Sequence, residues 1–124
     1  MSGRELRGRV VRGEGWGRKL GYPTANLDHR FFRRHPVPPG VYACWASVGR
    51  KRYRAIAVVG VPYTWRRHGF KVELHLLSFR RNLHGRLLTA TVVQKLRPIK
   101  VFQNVPEMLR TIARDVAQTK RLLR

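Results

Sequence analysis

The chain has 124 residues, 43% of them hydrophobic, which is enough for one domain with a real core and too few for two comfortable ones. Its 27 Lys and Arg against 6 Asp and Glu give a formal charge of +21, a field that attracts nucleic acid, acidic membrane surfaces or anionic small substrates without naming any of them. One cysteine, Cys44, excludes an internal disulfide framework or cysteine metal cluster, and no window reaches the roughly 18 apolar residues of a membrane span. The expectation is a single soluble domain over residues 1–124, cytoplasmic, monomeric and away from membranes.

Arg7 to Arg12 reads as a first strand, with Val10 and Val11 at its centre and Gly13 ending it. A glycine-rich basic stretch follows. Gly13, Gly15, Gly17 and Gly21 let the backbone pass close to a ligand, while Arg18 and Lys19 put positive charge where an anion would sit. It is not a Walker A loop, because Leu20 follows Lys19 and Pro23 opposes helix at Tyr22. If the chain is extended after Pro23, Thr24 and Asn26 point the same way and offer two neutral oxygens to a hard cation such as Mg²⁺.

His29 to Pro39 is basic, aromatic and closed by Pro36, Pro38, Pro39 and Gly40, so it reads as an exposed excursion. Val41 to Val48 and Arg52 to Val61 form a hairpin around Gly49-Arg50-Lys51, and Pro62 to Gly69 is a second aromatic, basic loop. Lys71 to Phe79 alternates, with Val72, Leu74 and Leu76 on one face and Glu73 and His75 on the other. Arg80 to Gly85 is a turn before a β-branched strand, Leu87 to Leu96. Five or six strands at this spacing argue for an antiparallel barrel or sandwich. Asn104, Pro106 and Glu107 start a helix whose Val105, Leu109, Ile112, Val116 and Leu123 recur at helical spacing, so one amphipathic helix packs on the barrel.

Six carboxylates bound the search for a general base: Glu5, Glu14, Asp28, Glu73, Glu107 and Asp115. Capping and solvation account for Glu107 and Asp115, and Glu5 lies near the chain end. Glu73 interrupts an apolar strand, and two readings stay open: an outward residue paired with an arginine, or a base accepting a proton from a substrate hydroxyl. The five histidines lack a second ligand at useful spacing, and only His84 is retained as a ligand contact.

Several segments together resemble the riboflavin kinases. They are Gly8-Arg9-Val10-Val11-Arg12-Gly13, the run to Leu20-Gly21-Tyr22-Pro23-Thr24-Ala25-Asn26-Leu27, Gly40-Val41-Tyr42, Val72-Glu73-Leu74-His75-Leu76-Leu77, Asn82-Leu83-His84-Gly85, and Lys95-Leu96-Arg97-Pro98 followed by Phe102. The resemblance implies a mainly β fold, a six-stranded antiparallel Greek-key barrel with a carboxy-terminal helix. It implies transfer of the γ-phosphate of ATP to the ribityl 5′-hydroxyl of riboflavin, with FMN and ADP as products and Mg²⁺ or another divalent cation as cofactor. By position, Gly13, Gly15, Gly17, Arg18, Lys19 and Gly21 would hold the ATP phosphates, with His84 and Gly85 beside the nucleotide. Thr24 and Asn26 would bind the cation and phosphate, Glu73 would be the base across the barrel from them, and Arg97 and Phe102 would face the flavin. Several positions depart from the family's bacterial pattern: Val58 where Asn is common, Ser78 where Asp is common, Ile99 where Glu is common, Pro62-Tyr63-Thr64 in place of a more usual arrangement, and His84-Gly85 in place of Tyr-Gly. The nucleotidyltransferase module of bifunctional relatives is not in these residues, so the expected product is FMN and not FAD. The competing reading is a barrel turned nucleic-acid-binding or regulatory module, motivated by the +21 charge and by Trp65, Phe31 and Phe32 among arginines.

Overall fold

The structure, a computed structural model, describes residues 4–12, 24–61 and 69–124. Its strands are β1 (Glu5–Val11), β2 (Ala25–Leu27), β3 (Gly40–Val48), β4 (Lys51–Gly60), β5 (Lys71–Leu76) and β6 (Leu87–Arg97). They pair antiparallel in the order β1-β2-β5-β4-β3-β6, and β6 returns to β1 to close a six-stranded Greek-key barrel. Closure removes the open sheet edges that would invite aggregation. Two register shifts between β3 and β6, at Val41/Tyr42 and Ala43/Cys44, bend the long sixth strand around the wall.

Strand alternation decides what fills the barrel. Leu6 and Val10 of β1, Ala25 and Leu27 of β2, Val72, Leu74 and Leu76 of β5, and Leu88 and Ala90 of β6 all join one interior cluster. Fully buried Ala46, Ala55, Ala57 and Ala90 mark where opposing walls leave little room. Cys44 sits in this interior, where burial pushes its thiol up to about 12, so it is an apolar core residue and not a nucleophile. Gly8 also faces inward, and a Cβ there would lie 2.8 Å from the Asp28 carbonyl oxygen. That close approach lets Asp28 N–H donate to the Arg9 carbonyl at 2.9 Å while its carboxylate accepts from Arg9 N–H at 3.2 Å.

The stretch from His29 to Pro39 corrects the reading of a wholly exposed excursion. It contains a short helix, α1 (Arg30–Arg34), and then returns to the core, where Val37 is 3% exposed. Phe32 packs against the interior cluster, and the Tyr42 hydroxyl donates to the Pro38 carbonyl.

The terminal helix, α2 (Val105–Leu122), starts as its sequence requires. The Asn104 side chain accepts from Glu107 N–H at 2.9 Å, and the Glu107 carboxylate accepts from Gln103 N–H at 3.0 Å. That backbone bond, helped by Lys100 at 3.3 Å, holds the Glu107 carboxyl below its ordinary range. The face that α2 buries is not the expected one, however. Met108, Thr111, Asp115 and Thr119 are buried, and of the expected series only Leu123 joins them, whereas Val105, Leu109, Ile112 and Val116 are partly covered. A second apolar cluster of Val41, Ile56 and Leu77, with Val58, Leu96, Ile99 and Val116 packed on it, joins α2 to the outer wall of β3 and β4.

Candidate active site

Because Ala25 and Leu27 fill the interior, alternation turns Thr24 and Asn26 to the outer wall, where both are half-buried. Asn26 pairs with Val11 of β1 on one side and with Glu73 of β5 on the other. Directly opposed residues share a face with Cβ atoms about 5 Å apart. Glu73 is therefore the next-strand neighbour of Asn26 and does not lie across the barrel from it, as the sequence led us to expect.

Glu73 has Val58 of β4 as its partner on the far side, and it is 3% exposed despite facing outward from the interior cluster. A buried carboxylate demands compensation, and Glu73 is not left without a partner. His75, two residues on and on the same face, is register partner to Ile56. Burial lowers its pKa, so at neutral pH it carries no charge beside Glu73. Among the described residues no group of three His, Cys, Asp or Glu side chains could hold a metal ion. A hard cation here would rest on the Thr24 and Asn26 oxygens plus oxygens of its ligand, a donor set that Mg²⁺ accepts.

The His84-Gly85 turn is fixed to the end of β1. The Asn82 side-chain oxygen accepts from His84 N–H at 2.9 Å, and Gly85 takes a left-handed φ of 81°. Gly85 N–H donates to the Val10 carbonyl at 2.8 Å, Val10 N–H donates to the Arg86 carbonyl at 2.9 Å, and the Arg9 guanidinium donates to the Gly85 carbonyl at 3.0 Å. His84 and Gly85 thus stand at the same end of β1 as Asn26, where the glycine-rich stretch departs. Gly13, Gly15, Gly17, Arg18, Lys19, Gly21 and Trp65 lie outside the described residues.

Arg97 ends β6 opposite Val41. Its Nε donates to both Asp115 oxygens at 3.0 and 3.2 Å, its Nη2 donates to Oδ2 at 2.9 Å, and its Nη1 donates to the Pro98 carbonyl at 3.1 Å. The guanidinium also lies over the Phe102 ring, 5.8 Å from its centroid, and Lys100 approaches the same ring at 5.9 Å. Arg97 is therefore committed to a brace that ties β6, the segment after it and α2 together. Asp115, assigned to solvation from sequence, is 5% exposed and forms the other half of that brace. The available signal was the i, i+4 series Thr111, Asp115 and Thr119, polar but on one helix face.

The family model for riboflavin kinase, Flavokinase, matches residues 3–123. The chain belongs to the riboflavin kinase family. The riboflavin kinase of Mus musculus is 33% identical over 122 residues, which cover 94% of this chain and 79% of the mouse protein. The RNA-binding riboflavin kinase RibR of Bacillus subtilis (strain 168) is 30% identical, covering 90% of this chain and 48% of that protein, so half of RibR lies outside the match. The crystal structure of riboflavin kinase from Trypanosoma brucei superposes with a TM-score of 0.72 at 25% identity, covering 99% of this chain and 78% of that one. The departures from the usual riboflavin kinase pattern take on structural meaning. Val58 is the register partner of Glu73, Ile99 packs on the same outer cluster as Val58, and Ser78 has a left-handed φ of 61°.

Proposed function

We propose that the chain transfers the γ-phosphate of ATP to the ribityl 5′-hydroxyl of riboflavin, giving FMN and ADP. The observation that carries the mechanism is the register of Asn26 against Glu73, which brings a neutral oxygen donor and a shielded carboxylate side by side on one wall. The Glu73 carboxylate accepts the proton of the 5′-hydroxyl as that oxygen bonds to the γ-phosphorus, and the bond to the bridging oxygen of ADP breaks. Thr24 and Asn26 would hold Mg²⁺, which, when bound, neutralises phosphate charge and keeps the γ-phosphate in line. Exclusion of water around Glu73 strengthens the electrostatics of the step. His84 and Gly85 border the nucleotide at the end of β1, where the glycine-rich stretch from Gly13 to Gly21 would meet the phosphates. On the flavin side, the Arg97–Asp115 brace holds the segment carrying Phe102, which supplies an aromatic surface for the isoalloxazine ring.

Incubation with ATP, Mg²⁺ and riboflavin, followed by chromatographic detection of FMN, tests the activity. Glu73→Gln is expected to lower kcat by about 10²–10⁴, while thermal unfolding shows the fold intact. Turnover of Glu73→Gln at the parent rate would reject Glu73 as the base and leave the reaction itself standing. Absence of FMN with the parent chain would reject the reaction.

A further inference from the structure

Two open depressions bordered by described residues lie away from Asn26 and Glu73. One, of about 1120 Å³, is lined by Arg4, Glu5, Phe31, His35 and the segment Pro36 to Pro39. The other, of about 550 Å³, is lined by α1 from Arg30 to Arg34 together with His35. Phe31 and His35 belong to both. Their rings stack with centroids 4.5 Å apart and planes 28° apart, and the Arg7 guanidinium lies over Phe31 at 4.9 Å from its centroid. They form an aromatic ridge between two arginine-bordered hollows.

This ridge is not needed for the core. Phe32 packs on the interior cluster and against Phe70, at 5.1 Å between ring centroids, whereas α1 has no fully buried residue. The two described carboxylates nearby, Glu5 and Asp28, are already engaged. Glu5 pairs with Arg7 at 3.3 Å, and the Asp28 carboxylate accepts from the backbone N–H groups of Arg9 and Arg30, each at 3.2 Å. Arg30, Arg33 and Arg34 are exposed. Arg4 is exposed as well.

From these features we infer that the α1 ridge, with Arg4, Arg7, Arg33 and Arg34 around it, is a binding surface for single-stranded nucleic acid. With His35 and Arg7 already against the Phe31 ring, a base stacks on exposed His35, which Phe31 backs, and phosphates meet the guanidinium groups, the combination that sequence-tolerant single-strand binding uses. A duplex, whose bases are stacked internally, cannot use the ridge. The surface is separate from the kinase site. Arg4 precedes the first residue of β1, whereas Asn26 pairs with Val11 at its far end. The six steps from Glu5 to Val11, at about 3.3 Å each, put the Arg4 edge of the surface roughly 20 Å from that pair. The inference therefore does not rest on the kinase reading.

The test is fluorescence anisotropy with labelled oligo-uridine and oligo-thymidine of about 12 nucleotides, a duplex of equal length, and phosphatidylserine-containing vesicles, across a salt series. Both single strands are expected to bind more tightly than the duplex. Phe31→Leu should lower single-strand affinity about tenfold without changing the salt slope, because stacking is lost and charge is kept. The double variant Arg33→Ala, Arg34→Ala should reduce the slope by about 1.4, and FMN formation should be unchanged in both. Binding of oligo-uridine alone would narrow the partner to RNA and uphold the surface. Equal affinity for duplex or vesicles, full affinity in Phe31→Leu, or an equal slope change in Lys120→Ala, Arg121→Ala would overturn it and leave only the diffuse field of the chain. Arg33 and Arg34 are exposed, so their variant reads out even if Phe31→Leu proves unstable.

Discussion

Ser78 shows how a residue choice and a backbone state can be mismatched. It is the one described residue other than glycine with a positive φ, 61°, in a region that most L-residues enter at a cost but Asn and Asp tolerate. An Asp at this position, which the resemblance leads one to expect, would suit that backbone without a ligand. Ser78→Val is expected to lower stability by about 1 kcal/mol, and Ser78→Asn to hold or raise it by a few tenths; chemical denaturation of the pair decides, and equal losses would discount the conformation. His75 adds a pH dependence. Burial depresses its folded pKa below the ordinary 6.5, so the stability gained by keeping it neutral is complete above that value. It is lost as pH falls from there through the depressed folded value, because the unfolded chain takes up the proton first. His75→Gln should flatten the fall in Tm below pH 6.5; an unchanged acid limb would assign that fall to other groups. Val58 and Ile99 are best regarded as one change. Both pack on the Val41, Ile56 and Leu77 cluster, so a polar side chain at either position would meet the same apolar surface.

At the scale of elements, α2 is held as much by a polar seam as by an apolar one. Thr111 donates its hydroxyl to the Glu107 carbonyl at 3.0 Å, Asp115 accepts from Nε and Nη2 of Arg97, and Thr119 Oγ1 is buried with no hydrogen-bond partner among the described residues. The last is a cost that the surrounding packing offsets. Asp115→Asn removes the charge that the Arg97 fork is oriented around, and the expected loss is about 2 kcal/mol. Because the same arginine holds the Pro98 carbonyl and approaches Phe102, the KM for riboflavin should rise severalfold while that for ATP holds. A matched rise in both would make the pair a general fold contact and no brace for the flavin segment.

At the scale of the molecule, period-2 patterning made the strands and the two faces of Lys71 to Phe79 legible, and the Asn104 cap marked the helix start. What sequence could not supply was long-range pairing. Glu73 was readable as outward-facing, but only closure through β2 makes Asn26 its neighbour. The helix within residues 29–39 escaped notice because five residues with no buried face leave no period to detect, and the prolines after it read as punctuation. Asp115 escaped notice because hydrophobic spacing points at Val116 beside it, whereas the seated face is polar.

The barrel is also unequal around its circumference. β3 and β4 share nine register pairs, whereas β2 joins β1 through two, Val10 with Leu27 and Val11 with Asn26, and joins β5 through two, Ala25 with Leu74 and Asn26 with Glu73. The thinnest seam among the described residues runs through the candidate site. Among the described residues, opening there breaks fewer ladder bonds than elsewhere in the wall, so local unfolding is expected to start at β2 and not at the β3–β4 hairpin. Amides of residues 25–27 should exchange with deuterium faster than those of β3, and should slow when ADP, Mg²⁺ and FMN are added; equal protection of the two in the free protein would remove the seam. Products that bridge β2 and β5 would then act as a clasp, and occupancy of the site would govern how long the closed barrel stays closed.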